Sequence, residues 1–168
     1  MCFACKAFDT YEKQREENFV KKRIVVIAGV LLVVIVAIGV YMANPMLRYH
    51  NSQVSKAMEQ LREKNGEEIS LNEVIPFSWD AVYTFAPYTS KQNIEERIGF
   101  SSGAITETVN EGMTQLIFVK DKKVVASICG YSDKLGYSIE FSDCIEAKDE
   151  ILFQVNVTDD KVQLKEKI

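Results

Sequence analysis

Residues 24–42 read IVVIAGVLLVVIVAIGVYM, nineteen positions without a charge, and Lys21-Lys22-Arg23 stands directly before them. An α-helix rises ~1.5 Å per residue, so roughly 20 residues cover the ~30 Å hydrocarbon core of a bilayer. Residues 24–43 meet that length and predict a single transmembrane helix. A cleaved signal peptide would carry a shorter apolar stretch of about 7–15 residues ending in a small-x-small site. Here the best cleavage point, after Ala43, puts bulky Tyr41 at the −3 position. Cys2 and Cys5 precede the run, so no lipid-attachment box closes it. A buried core helix is disfavoured because a chain of 168 residues has little other apolar mass to surround it.

Flanking Lys and Arg set orientation. Lys6, Lys13, Arg15, Lys21, Lys22 and Arg23 precede the span, whereas only Arg48 and Lys56 follow it closely. The expected topology is a cytoplasmic tail (residues 1–23), the anchor (24–43) and a C-terminal part outside the cytoplasm. Tyr41 and Tyr49 fall where an outer aromatic belt would lie. Residues 44–168 carry 14 basic against 20 acidic side chains. That balance gives no support for nucleic acid as a partner.

The outer part divides into a juxtamembrane helical segment (44–66) and a domain (67–168). Val54, Ala57, Met58 and Leu61 form one stripe of a helix over residues 52–64, which Asn65-Gly66 ends. That helix is either a stalk or an element packed on the domain, and its stripe favours packing. Ser70-Leu-Asn-Glu73 has capping-box form, as does Thr89-Ser-Lys-Gln92, and Gly99 stops the helix that the second one opens. In WDAVYTF (79–85) Trp79, Ala81, Tyr83 and Phe85 alternate with Asp80, Val82 and Thr84, which predicts a strand. Residues 116–119 and 124–129 read as a hairpin, 137–141 as a third strand, and 151–157 with 162–164 as a final pair. Helices early and strands late imply an α+β domain, an antiparallel sheet covered on one face by helices.

His50 is the one histidine of the chain, and its position suggests an exposed juxtamembrane residue. Neither a Ser-His-Asp arrangement, nor a catalytic zinc site of the usual kind, nor a glycine-rich phosphate loop is legible. No cofactor and no metal are therefore expected. Adjacent carboxylates such as Glu95-Glu96 and Asp159-Asp160 point in different directions and read as solvated surface. Cys129 and Cys144 would face an oxidising compartment, and the sequence leaves two states open for them: a disulfide or two buried free thiols.

The densest group of large side chains is Phe77-Ser-Trp79-Asp80-Ala-Val82-Tyr83-Thr-Phe85-Ala-Pro87-Tyr88-Thr89. It resembles a W-D-x-V-Y-x-F-x-P-Y-T segment in small membrane-anchored proteins and lipoproteins of Gram-positive bacteria, followed there too by a short helix ending in Gly and a β-hairpin. The resemblance covers roughly residues 77–131 and is strongest over 79–99. It implies an extracytoplasmic location and carries no activity. In place of the lipid-modified cysteine of the lipoprotein members, this chain has its apolar run.

Two readings of the cluster stand side by side. Trp79, Tyr83 and Phe85 on one strand face would supply most of a small core. Alternatively Trp79, Tyr83 and Tyr88, with Asp80 beside them, form a ligand-binding groove. For the chain as a whole we expect a membrane-anchored extracytoplasmic binding or interaction protein with no catalytic activity and an envelope or membrane-protein partner. The alternatives are a carboxylate-type cell-envelope hydrolase and a regulatory or assembly subunit of a membrane complex.

Overall fold

A computed structural model describes residues 22–39 and 44–167, and the chain divides into two units, residues 1–43 and 44–168. Cys2, Cys5, Lys21, Tyr41 and Ala43 lie outside the described residues. In the first unit Lys22–Gly39 is one helix, α1, with a mean hydropathy of 2.5. Its 18 residues are long and apolar enough to cross a membrane. The run is rich in β-branched Val and Ile, and in lipid a helix satisfies every main-chain polar group internally.

The second unit opens with α2 (Pro45–Gln60), extended by a 3-10 turn (Leu61–Lys64). Pro45 occupies the first turn, where its missing N–H costs nothing, so the helix begins seven residues before the expected start at residue 52. Val54, Ala57, Met58 and Leu61 are buried. Of the two roles open to this segment, it packs on the domain: Val54, Met58 and Leu61 belong to the main core.

The strands are β1 (Glu68–Ser70), β2 (Ala81–Thr84), β3 (Met113–Lys120), β4 (Lys123–Tyr131), β5 (Tyr137–Glu140), β6 (Cys144–Glu146), β7 (Leu152–Val157) and β8 (Val162–Glu166). Short helices intervene: α3 (Leu71–Val74), α4 (Lys91–Ile98) and α5 (Ser132–Leu135). The domain is α+β, with the expectation of a single sheet corrected to two four-stranded sheets. One has the order β1-β7-β8-β5 and the other β4-β3-β2-β6. All pairs are antiparallel except β5 with β8, which run parallel. The chain leaves β5, contributes β6 to the other sheet, and returns through β7.

The coverage of one face by helices is also corrected. Val82, Leu116, Phe118, Ala126, Ile128 and Ile145 meet Ile69, Tyr137, Ile139, Phe153, Val155, Val162 and Leu164 of the first sheet in the main core. The opposite face of the second sheet carries Ile117 and Val119, covered by Ile94, Ile98 and Ile105. With apolar clusters on both faces, β3 needs the unbroken run LIFV instead of alternation.

Capping follows the local chemistry closely. Ser70 and Glu73 form the expected reciprocal box around α3. At α4 the cap is Ser90, whose Oγ accepts the Asn93 amide, while Thr89 Oγ1 donates to the Ala86 carbonyl. Gly99 ends α4 in the left-handed region (φ 84°), where a side chain would be strained.

Candidate functional site

The four side chains read as a ligand surface do not share one groove. Trp79 is buried (7% exposed) and meets Phe118 edge-on, ring centroids 5.8 Å apart. The void beside it measures about 10 Å³, the space of a single water. Tyr83 belongs to the opposite cluster, stacked on Phe85 at 6.2 Å. The alternation that would place Trp79 and Tyr83 on one face breaks at Asp80, a bend through which the chain enters β2. Trp79 thereby joins the main core together with Val82.

Asp80 has a structural partner set. Its carboxylate accepts the Asp121 amide at 2.8 Å and pairs with Lys120 Nζ at 3.2 Å. The amide contact first, then Lys120, holds its pKa below the ordinary carboxylate value. Asp121 and Lys122 form the tight β3–β4 turn at φ 48° and 56°. Asp80 thus ties down a turn whose two residues both lie in the left-handed region. Tyr88 is exposed, at φ 65°, and its amide bonds the Thr108 carbonyl.

Cys129 and Cys144 are free thiols. Cys129 lies on β4 and Cys144 on β6, the two outer strands of the second sheet. Three strand spacings separate them, about 14 Å, whereas a disulfide needs Cα atoms within about 7 Å. Proximity in the sequence does not survive the strand order, and of the two states left open the chain has the free thiols. Cys144 stands directly opposite Tyr83 on the neighbouring strand. Burial pushes both thiols above their ordinary pKa.

His50 is likewise not a loose juxtamembrane residue. Its ring stacks on Phe77 at 4.2 Å, and Nδ1 bonds the Val125 carbonyl at 2.8 Å. A carbonyl only accepts, so Nδ1 carries the proton. Asn51, one position on, bonds both the N–H and the C=O of Ser127. Together these two side chains cover the outer edge of β4.

A cleft of about 370 Å³ between the ends of the two sheets has room for a ligand. Thr84 and Phe85 from the end of β2 and Gly112, Met113 and Thr114 from the start of β3 form one wall. Ser138, Ile139, Glu140 and Phe141 form the other, with Ser132 and Lys161 at the end. Ser138 is 7% exposed and its buried Oγ has no hydrogen-bond partner. Lys161 Nζ lies 3.5 Å from Ser132 Oγ and 3.6 Å from Asp133. Glu140 accepts from Gln163 at 2.5 Å. The cleft therefore offers hydroxyls, one ammonium and one carboxylate between two aromatic rings, at the small end of ligand-site volumes. Its residues come from five separate stretches of chain, and their trace in the sequence is slight. A polar Ser138 between Tyr137 and Ile139 is the nearest thing to a signal.

Among the described residues no group of three His, Cys, Asp or Glu side chains is arranged to hold a metal ion. No protein-family model, curated protein or solved structure matches this chain.

Proposed function

We propose that this chain is a membrane-anchored binding or interaction protein, tethered by α1 and holding its domain outside the cytoplasm. The cleft between the two sheets is its binding site. The observation that carries the reading is the cleft of about 370 Å³, with Lys161, Glu140 and the rings of Phe85 and Phe141 in its lining. A concave space of this size, bordered by aromatic rings and a few polar groups, is the ordinary form of a ligand site. The anchor is supported by the length and hydropathy of α1, and the orientation by the basic residues before it.

Binding is favoured over hydrolysis by the carboxylates of the cleft. A glycosidase-type mechanism needs two carboxyl groups facing one another, and Glu140 is the single carboxylate in the lining. The test is a photo-crosslinking residue at Thr114, with the full chain in native membranes. Capture of a discrete partner, reduced by Ser138→Phe, is the expected result. Crosslinks no denser than those from a site on the exposed face of α2 sink the proposal. Attachment of a membrane-impermeant label to Asp160→Cys on intact cells tests the orientation.

A further inference from the structure

Outside α1, five large apolar side chains are well exposed among the described residues, and two of them stand together at the start of α2. Met46 and Tyr49 are 62% and 58% exposed, and a spacing of three puts them on one face of the helix. Five residues, 40–44, lead from Gly39 to Pro45. Six steps along the chain reach at most about 22 Å, whatever path they take. Where α1 crosses a membrane, the start of α2 is therefore the part of the domain that cannot move far from the lipid. An exposed apolar pair at that place has a nearby apolar phase to enter, and tyrosine favours the headgroup level of a bilayer.

The hydrogen bonds of α2 say which other residues share that end of the domain. His50 bonds the Val125 carbonyl near the start of β4. Arg62, about 18 Å further along the helix, donates to the Asp159 and Asp160 carbonyls. Lys161 follows them and reaches Ser132, the residue after β4. The helix thus runs beside β4 from its start toward its end. The β3–β4 turn lies at the start, and there Lys122 and Lys123 are exposed. Arg48, Lys120, Lys122 and Lys123 at this end face two acids, Asp80 and Asp121, and Lys120 is paired with Asp80. The sign is opposite to that of residues 44–168 as a whole. Glu146, Asp149 and Glu150 follow from β6, the far edge of the sheet, about 14 Å from β4. The cleft belongs to the other end of α2, since Ser132 and Lys161 line it and its Met113 pairs with Tyr131.

We propose that this end of the domain docks on the surface of the bilayer that α1 spans. Met46 and Tyr49 enter the boundary between headgroups and acyl chains, and Lys122 and Lys123 meet anionic headgroups. Apolar insertion and charge attraction are the two contributions by which a surface helix binds lipid, and here they come from α2 and from the adjoining turn. Val54, Met58 and Leu61 fix α2 to the core, so docking orients the whole domain and holds the cleft at the end away from the lipid. The inference rests on α1 spanning the membrane.

The experiment uses the full chain in nanodiscs whose lipids carry nitroxide headgroups. A fluorophore is attached to Ser52→Cys, beside the patch, or to Thr114→Cys, in the cleft, in a Cys2→Ser, Cys5→Ser background that serves as the blank. Quenching at residue 52 is expected to exceed that at residue 114 by at least about threefold, and Met46→Ser with Tyr49→Ser should remove most of the excess. Replacing about a third of the phosphatidylcholine by phosphatidylglycerol should raise quenching at residue 52, and Lys122→Gln with Lys123→Gln should abolish that rise. The comparison of the two reporters leaves the patch intact, so folding of the variants is not at issue in it. Equal quenching at the two sites overturns the proposal, as does stronger quenching at residue 114. Quenching at residue 52 that survives all four substitutions also overturns it, because the tether alone would then hold the domain near the lipid. Release of the chain from native membranes by alkaline carbonate removes the anchor reading and the proposal together, whereas retention with equal quenching removes only the docking.

Discussion

Asn51 bonds both main-chain groups of Ser127, accepting from the amide at 3.0 Å and donating to the carbonyl at 2.7 Å. One amide side chain on α2 thus stands in for a neighbouring strand on the edge of β4. Asn51→Ala removes both bonds and leaves two half-buried main-chain groups unpaired. A loss of about 2–3 kcal/mol is expected, read as a lower midpoint in urea with unchanged slope. Asn51→Asp keeps an acceptor for the amide but sets a carboxylate against the carbonyl, so it should rescue little. Equal stability of all three proteins would show that water replaces the clamp.

The Asp80 carboxylate makes stability depend on pH in a defined direction. Its folded pKa is lowered by the Asp121 amide and by Lys120. Stability from this group is therefore fully present above the ordinary carboxylate pKa and is lost as pH falls through the lowered folded value. Unfolding midpoints of the wild type and Asp80→Asn should differ at pH 7 and converge in strong acid. A difference that persists undiminished at pH 2 would assign the effect to packing.

The turn that Asp80 holds is strained at both central residues. Asp121 and Lys122 lie at φ 48° and 56°, where a side chain costs about 1 kcal/mol. Lys122→Gly relieves that cost at the second position and suits this hairpin turn. A stabilisation of about 0.5–1 kcal/mol is expected, visible as a higher thermal midpoint.

The two domain thiols should behave as independent buried groups. In a Cys2→Ser, Cys5→Ser background, denatured protein should bind two equivalents of maleimide with or without prior reduction. In the native state, labelling should be slow at neutral pH and quicken as pH rises, because burial raises both thiol pKa values. Labelling that requires reduction would contradict the strand order.

Much of the local architecture is written in short sequence patterns. Ser70 with Glu73 and the glycine after Ile98 act within a turn of helix, so a few residues are enough to specify them. The paired strands of the hairpin are legible for the same reason, although the structure extends them to Met113–Lys120 and Lys123–Tyr131. β1 and β6 escape notice because three residues carry no periodicity. Trp79 was legible as core but not as a member of the cluster it joins, since a single bend at Asp80 reverses the parity on which side-chain direction depends.

By itself the sequence determined where hydrophobic burial is needed: a charge-free helix near the N-terminus, a stripe on α2, and the apolar strands of the hairpin. Those are properties of neighbouring residues and follow from helical and strand periodicity. The tertiary structure alone decided which strands become neighbours. That choice set Cys129 and Cys144 on opposite edges, put His50 and Asn51 against β4, and brought Ser138 and Lys161 to one cleft. Such relationships join residues tens of positions apart, and they are selected by the packing of two sheets against one another, which no local pattern encodes.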